Sequence, residues 1–278
     1  MTATRSASKG GFKSAIFSFL IFSSLNLDMC YYVASSFSVE DIIQLEHDFV
    51  LQWAETESTV NYCVSGFTHP ELPVITAQSF GKMKWGLVPS WIKKEEDAMK
   101  IRTQTLNAQA EGLASKPSFR QAFRQQQCCI IPVNGFFEWH HHHNGLKYPF
   151  FIYPKEGRYF YLAGLYDVWT SAASTLSSFS IITTPANPRM EWIHNSKKRM
   201  PAILSPTAAR QWLSKDLPSL EKSNLLQPYS EERMLDHSIS RLISSRRETM
   251  NQKAILEKQA YPELEYENGL DLFSDEIA

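Results

Sequence analysis

Apolar residues recur along this chain with two spacings, one typical of helices and one typical of strands. Val39–Phe49 (VEDIIQLEHDF) has helical spacing with Ser38 as its N-cap, and Pro117 opens a predicted helix that runs through Arg124. Further helices are predicted at residues 188–192, 207–213 and 220–226. Strands are predicted at residues 31–33, 74–77, 82–87, 148–153, 159–163, 164–169 and 179–184. We expect residues 148–153 to pair with residues 159–163 across a turn at residues 155–157. The elements mix without a repeating βαβ order, so we expect an α+β fold with a largely antiparallel, curled sheet.

Residues 130–139 (IIPVNGFFEW) combine a predicted core strand with a carboxylate. The apolar start followed by Asn134 and Gly135 predicts a buried strand that enters a turn. Glu138 comes next, between two aromatic residues. Burial of a carboxylate is costly unless it is paired or used, and burial raises its pKa, which suits a proton-transfer group. A solvated Glu138 on the outer face of a half-buried strand explains the same pattern, and perturbed carboxylates mark sites only statistically.

The two ends of the chain differ in composition from the middle. Residues 1–28 place basic residues before an apolar stretch, which is the outline of a signal peptide, but the stretch is too short and too rich in serine for a membrane span. The site before Cys30 lacks the small residues that signal peptidases prefer, and translation from Met29 is a third explanation of the leader. We expect residues 29–243 to form one catalytic domain. Residues 244–278 are predicted to be a polar to acidic tail that is partly disordered.

Charge and cysteine content limit the classes of function. The formal net charge is −1, so any contact with nucleic acid must use a local basic patch. The four cysteines form no CxxC pair, which favours a reducing compartment over a disulfide framework. His140–His143 precede Asn144 and Gly145, a hairpin-turn pair, so we expect a solvated loop tip with at most weak metal affinity. With no zinc spacing and no phosphate-binding glycine loop in the sequence, we predict neither a metal nor a cofactor.

Several short motifs occur in an order that is informative, although each is weak alone. They are residues 29–30 (MC), 84–91 (KWGLVPSW), 107–111 (NAQAE), 116–120 (KPSFR), 135–139 (GFFEW), 163–169 (AGLYDVW) and 194–201 (HNSKKRMP). In this order they resemble the SOS response-associated peptidase (SRAP) family, the abasic-site crosslinking proteins. The resemblance covers roughly residues 29–240 and implies a bifurcated, mainly antiparallel sheet that curls into a pseudo-barrel with surrounding helices.

The resemblance implies a specific covalent chemistry. The family's cysteine follows the initiator Met, and Cys30 matches it here. Its free amine and thiol attack the ring-opened aldehyde of an abasic site in single-stranded DNA and give a thiazolidine crosslink. Asn107 matches the asparagine that hydrogen-bonds the opened sugar, Glu138 the carboxylate that moves protons around the amine, and His194 the histidine that assists ring opening and reversal. An α-amine with a pKa of roughly 8 is substantially neutral at physiological pH, so it forms an imine without special tuning.

The DNA contacts expected from the sequence are one aromatic residue and several cations. They are Trp91 as a base-stacking platform, with Arg120, Arg124, Lys197, Lys198 and Arg199 on phosphates. Two departures from the family pattern concern the same contacts. Many members carry Gly-Arg where this chain has Tyr31 and Tyr32, and many carry arginine where Gln109 stands. Weaker binding to the DNA backbone, or replacement by the cations just named, is therefore expected.

Three classes of function remain open from the residues. The first is a covalent sensor of abasic sites in single-stranded DNA with associated autopeptidase activity. The second is a cysteine-dependent peptidase or amidase that acts on a substrate other than DNA. The third is a binding module in which Cys30 is a small buried hydrophobe, Asn107 a turn residue and His194 a structural histidine. For the first class we expect a cytoplasmic monomer that joins the nucleoid when bound to DNA and needs no membrane.

The chemistry of the first class requires Cys30 to carry a free α-amine. With residues 1–28 attached, the nitrogen of Cys30 is an amide and forms no imine. The sequence therefore predicts an active protein that begins at Cys30, made by translation from Met29 or by self-cleavage, and an inert full-length chain.

Overall fold

The computed structural model describes residues 30–54, 60–244 and 250–264. The predicted leader, residues 1–28, lies outside the described residues. The strands are β1 (Tyr32–Ala34), β2 (Val64–Ser65), β3 (Glu71–Thr76), β4 (Phe80–Trp85), β5 (Asn107–Gln109), β6 (Cys128–Val133), β7 (Gly135–His141), β8 (Lys147–Pro154), β9 (Phe160–Thr170), β10 (Thr175–Pro185), β11 (Arg199–Pro201), β12 (Ile203–Leu204) and β13 (Met234–Ser238). The α-helices are α1 (Val39–Phe49), α2 (Glu95–Ile101), α3 (Pro117–Arg124), α4 (Pro188–Ile193), α5 (Pro206–Leu213) and α6 (Ser219–Lys222).

Helix ends follow the local signals in the sequence. Helix α1 begins with a capping box in which the Ser38 side chain accepts from Asp41 N–H and the Asp41 carboxylate accepts from Ser38 N–H. Helix α3 begins with Pro117 and ends at Arg124, as predicted. Helix α4 is capped by the Asn187 side chain, which accepts from Met190 N–H at 2.7 Å. This cap fixes where α4 begins. His194, one of the predicted site residues, directly follows the last turn of α4.

Five strands close into a ring. Strand β4 pairs with β3, β3 with β6, β6 with β9, β9 with β10, and β10 returns to β4. The β10–β4 contact is parallel and the other four are antiparallel. Strands β5 and β11 extend the ring along β10, and β12 extends it along β9. The predicted α+β fold with a mainly antiparallel sheet curled into a pseudo-barrel is confirmed.

A second sheet has the strand order β13-β8-β7-β1-β2. The predicted pairing of residues 148–153 with residues 159–163 is wrong, because β8 pairs with β7 and β13 while β9 belongs to the barrel. Residues 155–157 do lie between the two strands, but they carry the chain from one sheet to the other. The turn chemistry was recognisable, but β8 pairs back with β7 and β9 pairs forward with β10, and each takes its second partner from a distant segment.

The predicted turn at Asn134 is a junction between the two sheets. Strand β6 belongs to the barrel, and β7 is the central strand of the second sheet. Only Asn134 lies between the end of β6 and the start of β7. Asn134 is held by β1 and the residues after it, because its N–H donates to the Ala34 carbonyl at 2.8 Å and its Oδ1 accepts from Ser36 N–H at 2.6 Å. Gly135 leaves no room for a side chain, since a Cβ there would lie 2.4 Å from the Ile152 carbonyl oxygen. The glycine therefore allows β8 to approach at the junction.

The two faces of the barrel strands carry different core clusters. On β6, Cys129, Ile131 and Val133 join a cluster that also contains Cys30 and residues of the second sheet. Cys128 and Ile130 point to the opposite face, where a second cluster receives α1, α3 and α5. Cys30 thus belongs to the face between the barrel and the second sheet, away from the helix-covered face.

The described part of the predicted tail lies against the domain. Asn251 Oδ1 accepts from Tyr62 N–H at 2.7 Å, Tyr261 Oη donates to the Ile239 carbonyl at 2.9 Å, and Leu264 is 2 % exposed in the cluster of Cys30. Residues 245–249 and 265–278 of the tail that is predicted to be partly disordered lie outside the described residues. Within the described ranges, none of the helices combines the length and apolar character needed to cross a bilayer.

Candidate active site

Cys30 lies shortly before β1 and is 1 % exposed. Its thiol donates to the Tyr32 carbonyl, with 3.8 Å between Sγ and the oxygen. Burial raises the pKa of the Cys30 thiol well above its usual range, and the negative charge of Glu138 raises it further. The sulfur is therefore a neutral thiol at physiological pH in this form of the chain, and Glu138 is close enough to act on it electrostatically.

Asn107 begins β5 and orients Cys30. Its Nδ2 donates to the Cys30 carbonyl oxygen at 3.0 Å. Its Oδ1 is buried and has no hydrogen-bond partner among the described residues. Parallel pairing of Asn107 with Ile181 on β10 sets the strand that carries it. A buried amide oxygen without a partner is costly, so the site has an acceptor in reserve for a donor that arrives with a substrate.

Glu138 is buried on β7, which excludes the solvated interpretation. It is 4 % exposed, and its strand is covered on both faces because Phe137 packs in a third cluster on the other side of the second sheet. Burial raises the pKa of Glu138 to about 7, although a positive charge on His194 would lower it. Its Oε1 has no hydrogen-bond partner among the described residues. A carboxyl group that titrates near neutrality holds and releases a proton under physiological conditions.

His194 follows the last turn of α4 and faces Glu138. Its Nε2 lies 3.8 Å from Glu138 Oε2, which is too long for a hydrogen bond but short enough for an ion pair when the ring is protonated. Its Nδ1 lies 2.9 Å from the Arg199 carbonyl oxygen. A carbonyl oxygen only accepts, so Nδ1 carries the proton and Nε2 is the nitrogen that faces Glu138.

These contacts bring the four predicted catalytic residues together from both sheets and from α4. Asn107 touches Cys30, Glu138 acts on the Cys30 thiol through its charge, and His194 faces Glu138. The set contains a nucleophilic sulfur, an amide donor, and a carboxyl–imidazole pair that can hold a proton. This arrangement suits nucleophilic addition with proton transfer.

The residues predicted to bind DNA are spread more widely. Trp91 is 45 % exposed on the loop after β4. Arg120 and Arg124 are exposed on α3, which packs on the helix-covered face of β6, opposite the face of Cys30. The four predicted catalytic residues are therefore grouped, whereas α3 with Arg120 and Arg124 packs on the other face of β6.

The basic run after His194 is engaged in ion pairs. Lys197 and Lys198 are exposed, and Lys198 Nζ lies 3.3 Å from Glu191 Oε2. Arg199 donates from both Nη atoms to Glu111, at 2.7 and 3.0 Å. Glu111 belongs to the motif at residues 107–111, but its role was not predicted. Its partner Arg199 lies 88 positions away, so the sequence carries no local signal for the pair.

The positions that depart from the family pattern have partners of their own. Tyr31 packs on Phe67 with ring centroids 4.6 Å apart, and Tyr32 on Trp139 at 5.1 Å. Gln109 accepts from Lys116 Nζ at 3.0 Å. A cation thus lies beside Gln109, two residues along β5 from Asn107.

The prediction of a solvated histidine loop is wrong for half of the run. His140 lies within β7 and is 3 % exposed, with Nδ1 2.7 Å from the Trp192 carbonyl oxygen and its ring stacked on the Trp192 indole. His142 is also buried. The strand alternation that brings Glu138 inward brings these two residues inward as well. Across the described residues, no group of three or more His, Cys, Asp or Glu side chains is arranged to hold a metal ion.

The chain is similar to known proteins along most of its length. The sequence model of the family described as SOS response associated peptidase (SRAP) matches residues 29–246. The abasic site processing protein YoqW of Bacillus subtilis is 40% identical over 167 residues, which span 59% of this chain and 71% of that protein. The abasic site processing protein HMCES of Xenopus tropicalis is 31% identical over 186 residues, which span 59% of this chain and 53% of that longer protein.

Solved structures agree with the barrel and second sheet described above. A protein from Bacteroides thetaiotaomicron superimposes with a TM-score of 0.76 at 33% identity and covers 83% of this chain and 100% of its own. A protein from Bordetella bronchiseptica has the same fold, with a TM-score of 0.65 at 23% identity over 76% of this chain and 100% of its own. With the family match spanning the domain and Cys30, Asn107, Glu138 and His194 gathered in one buried cluster, this chain belongs to the SOS response associated peptidase (SRAP) family.

Proposed function

We propose that this protein processes abasic sites in single-stranded DNA by forming a covalent crosslink through Cys30. The observation that carries the proposal is a buried cysteine grouped with a carboxyl–imidazole pair: Glu138, with a pKa of about 7, lies 3.8 Å from His194, and its charge acts on the Cys30 thiol. Relatives that align with this chain are named abasic site processing proteins, which supports DNA with abasic sites as the substrate class.

The proposed reaction joins one amine and one thiol to one aldehyde. The α-amine of an N-terminal Cys30 adds to C1 of the ring-opened deoxyribose and gives a carbinolamine. Loss of the hydroxyl group as water gives an imine. The Cys30 sulfur then adds to the imine carbon, its proton passes to the nitrogen, and a five-membered thiazolidine forms. The sum is aldehyde plus cysteine giving thiazolidine plus water, so no oxidant, metal or cofactor is consumed.

Glu138 is the proton carrier in this scheme. With a pKa of about 7 it accepts a proton from the ammonium form of the amine and returns one to the departing hydroxyl group. A neutral thiol is sufficient because its proton is transferred as the sulfur adds. His194, with Nε2 3.8 Å from Glu138 Oε2, is assigned to opening of the sugar ring and to reversal of the crosslink.

Asn107 holds the reacting residue and the sugar. Its Nδ2 fixes the Cys30 carbonyl, and its free Oδ1 is an acceptor for a hydroxyl group of the opened sugar. The four side chains come from one chain, so a monomer suffices for the reaction. Trp91 is proposed as the base-stacking surface, with Arg120, Arg124, Lys197 and Lys198 on phosphates. We assign the reaction to the cytoplasm, on the nucleoid.

A free α-amine at Cys30 is the condition for this chemistry. In the full chain Met29 precedes Cys30, so the nitrogen is an amide. Exposure of this amine, by self-cleavage before Cys30 or by translation from Met29 followed by removal of that Met, is therefore part of the proposal. The peptidase activity in the family's name is assigned to that release and not to a separate substrate.

The test compares three forms of the protein released by a site-specific protease and mixed with abasic single-stranded DNA. The first form begins at Cys30, the second has Cys30→Ser at the same N-terminus, and the third has one glycine before Cys30. We expect a heat-stable adduct with the first form only. The serine form should give an imine that is trapped by borohydride and lost on heating, and the glycine form retains its thiol without an adjacent amine.

Intact mass identifies the product. The expected adduct mass is the sum of the protein and the uncleaved abasic DNA minus one water. An equally heat-stable adduct with the glycine form would rule out the thiazolidine. If no form crosslinks, yet the full chain releases residues 1–29 in a Cys30-dependent manner, a cysteine peptidase without a DNA substrate replaces the proposal.

A further inference from the structure

The Arg199 side chain is held in one plane by partners on two sides. Its Nη1 and Nη2 donate to the two Glu111 carboxylate oxygens at 2.7 and 3.0 Å. Nη2 also donates to the Thr183 carbonyl at 2.6 Å. Paired hydrogen bonds of this kind fix the orientation of a guanidinium group, unlike a single contact with a lysine. The hydrogen bonds from Arg199 lower the pKa of Glu111, so the carboxylate stays ionised and the pair persists at neutral pH.

The main chain of the same arginine selects the tautomer of His194. The Arg199 carbonyl oxygen lies 2.9 Å from His194 Nδ1, which must donate the proton. This contact selects the Nδ1–H tautomer and turns Nε2 toward Glu138, 3.8 Å away. In the other tautomer Nδ1 would have no proton for the Arg199 carbonyl, and Nε2 could not accept one from Glu138.

The loop between His194 and Arg199 needs an anchor at its far end. The N–H groups of Lys197 and Lys198 both point to the His194 carbonyl, at 3.3 and 2.8 Å, and Lys198 has a φ of +54°, which is unfavourable for a lysine. Arg199 is only the first residue of the three-residue strand β11 at the edge of the sheet. Its side chain reaches across to the segment after β5, the strand of Asn107, and ties that end of the loop to the barrel.

We propose that Glu111 and Arg199 are positioning residues that hold His194 in the Nδ1–H tautomer. Glu111 fixes the Arg199 guanidinium, the guanidinium fixes the main chain of Arg199, and its carbonyl selects the proton-bearing nitrogen of the ring. The tautomer follows from the geometry alone, and its effect on rate rests on the proposed function. Arg199 thereby has a role that differs from the phosphate contact expected from the sequence.

The first readout needs no DNA. Nitrogen-15 NMR of histidine-labelled full-length protein distinguishes the protonated from the unprotonated ring nitrogen. The chain has eight histidines, so the His194 signals are assigned by their loss in His194→Gln. We expect wild type to show Nδ1–H and Glu111→Gln to show a mixture with the Nε2–H tautomer. Arg199→Lys keeps the charge but loses the two-point contact and should behave like Glu111→Gln.

The second readout is the single-turnover rate of crosslinking at saturating abasic DNA, using the form that begins at Cys30. We expect Glu111→Gln to slow it about 10- to 100-fold, the size of effect found when partners that orient a histidine are removed. Glu191→Gln is the matched control, because Glu191 pairs with Lys198 on the same loop without touching Arg199. It should change neither the tautomer nor the rate.

The tautomer tests the positioning role of Glu111 and Arg199, and the crosslinking rate tests whether that role matters for the reaction. A pure Nδ1–H signal in folded Glu111→Gln or in Arg199→Lys overturns the positioning role whatever the substrate is. A changed tautomer with an unchanged crosslinking rate overturns its relevance to the reaction. A changed tautomer together with a wild-type protein that never crosslinks supports the positioning role and refutes the proposed function instead.

Discussion

Replacing Glu138 with glutamine should stabilise the protein, and by an amount that depends on pH. The pKa of Glu138 is raised from 4.5 to about 7 by burial. Between these two values the folded state holds a proton that the unfolded state releases, so the stability of the wild type falls as pH rises from 4.5 through 7. The glutamine side chain does not titrate, so the Glu138→Gln variant escapes this loss.

The magnitude follows from the two pKa values. The pKa rises from 4.5 to about 7, and each pKa unit corresponds to about 1.4 kcal/mol. The free energy of unfolding of the wild type therefore falls by at most about 3 kcal/mol as the pH rises through this range. Roughly a quarter of this loss is present at pH 5 and nearly all of it at pH 8. The advantage of Glu138→Gln over wild type should therefore grow by about 2–3 kcal/mol between pH 5 and pH 8. Any contribution of the new amide that does not depend on pH cancels in this difference.

The assay is urea denaturation of both proteins at a series of pH values. The comparison is repeated in a His194→Gln background, because the imidazole faces Glu138 and a positive charge on it lowers the pKa of that carboxyl group. Glu71→Gln, on an exposed carboxylate of β3, is the control and should give no such trend. A flat difference between Glu138→Gln and wild type from pH 5 to pH 8 would refute a titrating buried acid, and with it the proton-transfer role. The same variant should slow crosslinking by about 10²- to 10⁴-fold while it folds more stably.

Three further outcomes are expected. Asn107→Ala removes the donor to the Cys30 carbonyl and should slow single-turnover crosslinking about 10²-fold, the cost of losing one oriented donor; a wild-type rate at saturating DNA would contradict this. Lys197→Gln combined with Lys198→Gln should lower the slope of log K against log salt by about 1.4 if each lysine meets one phosphate, and an unchanged slope in filter binding would mean that the pair is only solvated. Gly135→Ala should destabilise the fold by about 1–3 kcal/mol or prevent its folding, because its Cβ would overlap the Ile152 carbonyl. Gly81→Ala, whose Cβ would meet an ordinary contact at 3.6 Å, should be tolerated in the same thermal melts.

Local elements of this fold are predictable because their signals are local. Ser38 and Asp41 sit three residues apart and form the cap of α1, and Pro117 is itself the start of α3. Strand partners are different, since β8 pairs with its neighbour β7 and with the distant β13, and β9 pairs with its neighbour β10 and with the distant β6. A turn between two strands therefore predicted a hairpin where the chain passes between sheets. Asn134 and Gly135 were predicted to follow a buried strand as a turn, and in the structure Asn134 is the single residue between β6 and β7, where the chain passes between the sheets.

The catalytic set was predicted from motif order and not from spacing. Cys30, Asn107, Glu138 and His194 lie far apart in sequence, and no periodicity in the chain links them. Motif matching supplied each residue but not the contacts between them. The aromatic neighbours of Glu138 fitted both a buried and a solvated carboxylate. The packing of β7 between two clusters decides for burial, which raises the pKa of Glu138.

The passage of the chain from one sheet to the other at Asn134 has a consequence for when the protein is reactive. Cys30 and Glu138 lie on or beside strands of the second sheet, whereas Asn107 lies on a strand that pairs with the barrel. The reacting group and its partners therefore meet only after both sheets have formed and docked. A nascent or partly unfolded chain has the same cysteine without these partners in place, so the proposed reaction requires the folded domain.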